Sequence, residues 1–280
     1  MAILLLADIH GMYPALSAIL SSPEAKRCDR IISLGDQVNF GPQSRLVMDT
    51  LSSLDALMLM GNHEERLLHP GDFSGYNWHM LHLTAQQMQG ARIDQLPVDV
   101  RIGRTLLTHG TPGDPYHLVY EEDLPGVLDS LPEDVDLLLS GHNHLLWDVR
   151  HGHRRAFNPG SAGLNEAGNG GMARFAVWDG EELTSHLVPY SIDDTIRAYI
   201  AMGYADAAPE MIRACIQELR TAEYQGVLRL LRHVHQTASQ LGLTIGDKAA
   251  WQQADTTYHW IEHPHQTTAE YWAEMKERFA

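Results

Sequence analysis

The sequence predicts an α/β sandwich over residues 1–190, followed by a helical C-terminal extension over 191–280. Three observations carry this. Short apolar runs recur up to residue 140 and alternate with amphipathic stretches, as strands covered on both faces do. From about residue 145 to 188 the pattern becomes strand and turn, with a His-Gly-His turn and an Asp179-Gly180 turn marking two hairpins. Beyond Pro189 the apolar spacing turns helical.

Taken in order, Ile3–Ala7, Arg30–Leu34, Ala56–Met60, Thr105–Thr108 and Asp136–Ser140 read as strands. Between them, Pro14–Leu20 has its proline where a first helical turn tolerates one, and Ser44–Leu54 puts Leu46, Val47, Leu51 and Leu54 on one face. Asn62 reads as the cap of a helix starting at His63, with Glu64 and Glu65 favourable in its first turn. Leu145–Arg150 with Arg154–Phe157, and Ala173–Trp178 with Leu183–Val188, form the hairpins. Helices are expected near Ser191–Met202, Pro209–Arg220, Tyr224–Leu241 and Thr268–Arg278.

Composition narrows the function. The 280 residues are enough to bury a sizeable core, and 44% hydrophobic against 20% charged is an ordinary globular balance. No apolar run approaches membrane-spanning length. The opening MAILLLADIHGM lacks a basic region and runs straight into Asp8 and His10, so it reads as a core strand and not a leader. Cys28 and Cys215 lie in no metal-type or redox-type spacing, which fits a reducing cytoplasm. A net charge of -16 argues against non-specific nucleic-acid binding. A small anionic substrate then needs its charge met locally, and a bound metal is the natural source.

The residues directly after each apolar run are the informative ones. After ILLLA comes Asp8-Ile-His10; after IISL, Gly35-Asp36; after ALMLM, Gly61-Asn62-His63-Glu64; after TLLT, His109-Gly110; after DLLLS, Gly141-His142-Asn143-His144. Strand carboxyl ends in such sheets line one crevice, so these residues are expected to meet at a single rim. Asp8, His10, Asp36, Asn62, His109, His142 and His144 make a mixed oxygen and imidazole set without thiolate. That favours an open catalytic site for Mn, Fe or Zn over a structural zinc site. Seven ligands exceed the needs of one ion and suit two sharing a bridging group, an arrangement that clamps phosphate and acidifies water.

As an ordered set, D-x-H, G-D, G-N-H-E, H-G and G-H-x-H over residues 3–165 resemble the calcineurin-like metallophosphoesterases. GDQVNFGP (35–42), HGTP (109–112) and NPGSAG (158–163) resemble the small bacterial phosphodiesterase branch. The resemblance implies a four-layer αββα sandwich of mixed sheets, and two divalent ions, Mn first, with Fe or Zn as alternatives. It implies Asp8, His10 and His144 on one ion, Asn62, His109 and His142 on the other, and Asp36 bridging. It implies hydrolysis of a small phosphodiester or nucleotide-like substrate by a metal-bridging hydroxide, with His63 stabilising the phosphoryl group and protonating the leaving oxygen. Asn39 and Phe40, within the G-D block, are candidate substrate contacts.

Two departures from the protein phosphatases stand out. Asn39 replaces an Asp that pairs with the histidine at the position of His63, and Met60 replaces a phosphate-gripping Arg. The first lowers the protonated fraction of His63, and the second favours a singly charged diester over a dianionic phosphoprotein monoester. Phosphomonoesterase or phosphoprotein phosphatase activity is the rival enzyme reading, and an inactive scaffold of the same fold is the rival outside enzymes. No G-x-G-x-x-G follows the first strand, which removes a Rossmann nucleotide binder. His151-Gly-His153 repeats the H-x-H spacing among arginines and follows no buried run, so it reads as a solvated turn. Tyr76–Met88 fits either a helix packed on the sheet or a wall of the cleft. The C-terminal helices cover the site, extend the core, or pair copies of the chain into a homo-oligomer; the sequence does not choose.

Overall fold

The computed structural model describes residues 2–166, 168 and 170–279. In chain order it contains β1 (Ile3–Leu6), α1 (Tyr13–Ser21), β2 (Arg30–Ser33), α2 (Ser44–Ser53), β3 (Leu57–Met58), α3 (Asn62–Leu68), α4 (His79–Gln87), β4 (Val100–Ile102), β5 (Thr105–Leu107), α5 (Leu124–Ser130), β6 (Leu137–Leu139), β7 (Leu146–His151), β8 (Arg154–Pro159), β9 (Met172–Trp178) and β10 (Leu183–Pro189). Six helices close the chain: α6 (Ile192–Ala201), α7 (Tyr204–Ala207), α8 (Pro209–Thr221), α9 (Gly226–Leu241), α10 (Lys248–Thr257) and α11 (Thr268–Phe279).

The strands form two five-stranded mixed sheets, ordered β10-β9-β1-β2-β3 and β4-β5-β6-β8-β7. β1 shows why they stack. Its alternate residues Ile3 and Leu5, with Ala7 beyond its end, join Ile32, Leu34 and Leu59 in a core that includes Leu107, Leu139 and Phe157 of the second sheet. Leu4 and Leu6 face the other way, into a larger core with α1, α2, α6 and the helices beyond. The outer face of the second sheet is covered by α5 through Leu124 and Leu128 against Leu138, Ala156 and Trp147. Helix, sheet, sheet, helix is the αββα order. A strand buried on both faces needs apolar residues at every position, which is why ILLL carries no polar alternation.

β1, β2 and β3 run parallel, as do β5, β6 and β8. The loops after β1, β2, β3, β5 and β6 therefore leave corresponding ends of the two sheets. The helices after residue 190 bury Tyr199, Tyr204, Ile212, Cys215, Leu230, Trp251, Trp260 and Tyr271 in the same apolar core as α1. Among the described residues no helix is long and apolar enough to cross a membrane.

Candidate metal centre

The five strand-end blocks converge. Asp8, His10 and His144 form one cluster of mutually close ligand atoms, and Asp36, His109 and His142 form another. Asp36 also groups with His10 and His63, so it stands between the two. Its Oδ1 accepts the backbone N–H of His63 at 2.9 Å, which leaves Oδ2 facing inward. That oxygen lies 3.3 Å from His109 Nε2, 3.8 Å from His10 Nε2 and 3.9 Å from His63 Nε2. Asp8 is fully buried and accepts the backbone N–H of His142 through both oxygens at 3.1 Å.

Local backbone is forced to make this fit. Asp8, His10, Asp36, Asn39, Phe40, His142 and His144 all have positive φ, between 51° and 72°. Each such non-glycine residue costs of order 1–3 kcal/mol, a cost tolerated where surrounding structure fixes the loop for function. Gly61 has no side chain for a related reason, since a Cβ there would collide with the carboxylate and backbone of Asp36. Gly61, not Asn62, is the N-cap of α3. Asn62 is the first helical residue instead, and its side chain points into the cluster. Glu64, expected as a first-turn charge, is wholly buried and ties the loops after β2 and β3 together. It accepts from the backbone N–H groups of Gly61 (2.8 Å), Asp36 (2.9 Å) and Val38 (3.1 Å). Burial, reinforced by the Asp36 charge, still pushes its pKa up to about 8.

The four histidines of the two clusters each spend one ring nitrogen outward. His10 Nδ1 donates to Val38 O (3.3 Å), His109 Nδ1 to Leu34 O (2.8 Å), His142 Nε2 to Tyr116 O (3.1 Å), and His144 Nδ1 to Glu166 Oε1 (2.8 Å). With those tautomers, the remaining nitrogens present lone pairs inward. His10 Nε2 and His144 Nε2 then face each other at 3.0 Å. Asn62 Oδ1 sits 3.2 Å from His109 Nε2, 3.2 Å from His142 Nδ1 and 3.1 Å from Asp36 Oδ2. Acceptors facing acceptors in a buried place repel unless a cation lies among them, or unless a ring takes a proton or the amide turns over. A divalent ion in each cluster satisfies the inward acceptors, so the donor set fits two ions; the Asn62 amide nitrogen is then left facing the Arg66 guanidinium at 3.1 Å.

Without metal, protons on His109 and His144 take the place of the cations. Burial lowers the pKa of His10 well below its ordinary value, and brings His63 to about 3 and His142 to about 4. At His109 burial is outweighed by the charge and hydrogen bond of Asp36, raising it to about 9. At His144 burial is outweighed by Glu166 and Asp8, raising it to about 10. Asp36 is held well below the carboxylate range, because the surrounding histidines overcome its burial.

A profile of the calcineurin-like phosphoesterase superfamily domain matches residues 1–180. The chain belongs to this superfamily. Calcineurin-like phosphoesterases are metal-dependent phosphoric ester hydrolases, and the strand-end ligand blocks lie within the matched span. Phosphodiesterase YfcE of Escherichia coli (strain K12) is 26% identical over 196 residues, covering 66% of this chain and 90% of its own length. MJ0912 of Methanocaldococcus jannaschii is 24% identical over 153 residues, and the chain spans 62% of its length. A metallophosphoesterase structure from Sphaerobacter thermophilus superposes with a TM-score of 0.68 at 25% identity, covering 79% of this chain and 99% of that one. PH1004 of Pyrococcus horikoshii OT3 shares the fold, with a TM-score of 0.66 at 18% identity.

The remaining expected residues fall in two groups. His63 stands beside the clusters, with Asn39 Nδ2 at 2.7 Å from its Nδ1 and the Phe40 ring 5.0 Å away. Asn39 Oδ1 accepts from the Thr84 hydroxyl at 3.3 Å, which turns the amide N–H toward His63. By contrast, His151 and His153 lie on the β7–β8 turn, 42% and 69% exposed, near Asp129 and Asp136. They take no part in the centre. NPGSAG does reach the rim: Asn158 Nδ2 donates to Gly141 O (2.7 Å), and Ser161 Oγ to Asp8 O (2.7 Å). The loop thereby locks the ends of β1 and β6 together.

Sequence reasoning missed Glu166 and Arg66, and left open whether the C-terminal helices wall the site. Glu166 holds His144 with one oxygen and accepts from the backbone N–H of Gln225 (2.8 Å) with the other. Its position just past NPGSAG was the only signal in the sequence. Arg66 lies one turn beyond Asn62 on α3, within 3.1 Å of its amide, and lies over the Tyr116 ring at 5.2 Å. Trp78 and Asn77 before α4, and Glu218, Gln225, Leu228 and His235 of the C-terminal helices, line the same cavity. The Tyr76–Met88 segment thus serves both expected roles, since Met80 and Leu81 of α4 are buried in the core and also line the cavity.

Proposed function

We propose that this protein hydrolyses phosphodiesters at a dinuclear metal centre. Asp8, His10 and His144 would hold one ion, Asn62, His109 and His142 the other, with Asp36 shared between them. The observation that carries this reading is the convergence of four imidazole nitrogens, an amide oxygen and Asp36 Oδ2 on two adjoining points, a donor set that two divalent cations fit. Two divalent ions bound there supply positive charge for the phosphate and a water acidified toward neutrality.

The chain's own residues do the rest. Asn39 donates to His63 Nδ1, so the ring keeps its proton on Nε2, on the side facing Asp36. From there the Nε2–H donates a hydrogen bond to the phosphoryl group and to the departing oxygen; full transfer of that proton requires the imidazolium, whose Nδ1–H the Asn39 amide accepts once its Oδ1 is turned toward the ring. Phe40 packs edge-on to His10 and tilted to His63, shielding both from water. Arg66 is the one Arg or Lys lining the cavity among its described residues, a better match to one negative charge than to two.

The test is hydrolysis of matched diester and monoester p-nitrophenyl phosphates by manganese-loaded protein. The diester is expected to be cut faster, and Asp36→Asn to abolish the activity on both. Faster monoester turnover overturns the diester assignment. Full activity in Asp36→Asn overturns the bridging role.

A further inference from the structure

The cavity beside the centre has a volume of about 610 Å³, far more than a phosphate group and the size of a small-molecule pocket. Its chemistry is sharply divided. On one side stand Asp36, Asn62, His63, His142 and His144. On the other stand Trp78, Leu118, Val227, Leu228, Leu231 and Ile245, mostly on segments beyond the residues that carry the superfamily match. Tyr116, Tyr224 and Leu228 line it too, although they are 42%, 41% and 45% exposed. Large apolar side chains left accessible together around one cavity mark a contact surface for a ligand.

Charge narrows the ligand further. Arg66 has no ion-pair partner among the described residues, and its guanidinium lies beside Asn62. The other ionisable wall residues near the apolar side are Glu166, whose oxygens are taken by His144 and the Gln225 N–H, and the buried Glu218. One negative charge is therefore met near the centre, and further negative charge along the wall finds no Arg or Lys.

Resting on the phosphodiesterase reading above, we infer that the substrate is a monoanionic phosphodiester carrying one bulky, uncharged, largely apolar ester group, seated against α9 and Ile245 while Arg66 faces the phosphate. Such a group removes Leu228 and Leu231 from water as it binds. A substrate with a chain of phosphates would instead place charges along an apolar wall with no second Arg or Lys to meet them.

The test measures binding of methylphosphonate monoesters to manganese-loaded protein by calorimetry. These compounds carry a single negative charge and are poor substrates. The 2-phenylethyl ester is expected to bind at least about tenfold tighter than the methyl ester. An ester of similar length ending in phosphate is expected to bind more weakly than the phenylethyl one. Leu228→Ser, at a 45% exposed position that endangers folding little, should shrink the phenylethyl preference, and so should Ile245→Ser. Arg66→Gln should weaken all members of the series together. Equal affinity for methyl and phenylethyl esters, or tightest binding of the phosphate-bearing ester, overturns the assignment. A protein that binds the series in the expected order but cuts no diester loses the proposed reaction and keeps this cavity. One that cuts diesters without size preference loses the cavity assignment alone.

Discussion

At the scale of single residues, His63 and Asn39 are the most exposing pair to alter. Asn39 offers His63 an amide where a carboxylate would hold an imidazolium, and burial already depresses the ring's pKa to about 3. Replacing Asn39 with Asp adds a negative charge at a 2.7 Å contact, which favours the protonated ring and raises its pKa by roughly one to three units on the usual scale of such pairs. The basic limb of the kcat profile should move to higher pH in Asn39→Asp, as read by initial rates from about pH 3 to 8; an unmoved limb would remove His63 from the proton step. His63→Ala should lower kcat by roughly 10²–10⁴ for an alkoxide leaving group, and by much less for p-nitrophenolate, which departs without help. Metal content should stay unchanged, because neither cluster depends on His63 for its inward lone pairs.

At the scale of elements, the strand ends were legible because each block sits directly after an apolar run, where a sheet must turn. β1, β2, β5 and β6 lie within a residue or two of their expected positions, and Asp8, Asp36, His109 and His142 follow from that placement. Glu166 was not legible. It lies 22 residues past His144 in a loop with no periodicity, and only tertiary packing brings it to Nδ1. Glu64 was legible as a first-turn acid, and so it is, but spacing did not show that this one enters the protein and accepts three backbone donors. Glu64→Ala leaves those buried donors without an acceptor and should cost more than about 3 kcal/mol, measured by denaturant unfolding. Glu166→Ala frees the ring of His144 and should weaken metal binding roughly 10- to 100-fold while leaving the unliganded fold intact. An unchanged affinity would make Glu166 a bystander.

At the scale of the whole molecule, the αββα layering was implied by the family resemblance, while the use made of the last ninety residues was not. Their helices carry apolar residues on one face for the core and others, such as Leu228 and Leu231, for the cavity, and spacing alone cannot divide the two sets. The centre also couples to global stability. In metal-free protein His109 and His144, with pKa values raised to about 9 and about 10 from 6.5, contribute stability fully present below pH 6.5 and lost as pH rises through 9 to 10. Chelated protein should therefore show a falling Tm across that range. Metal binding must displace the same protons, so affinity should rise between about pH 7 and 9. At saturating metal, about a hundred times Kd, the folded state gains about 2.7 kcal/mol per site. The central claim is tested most directly by titrating manganese into metal-free protein, following bound metal and hydrolysis of bis(p-nitrophenyl) phosphate in the same samples. Binding should saturate at two equivalents, with activity emerging as the second ion binds. Two bound ions without hydrolysis, or full activity at one, would contradict it.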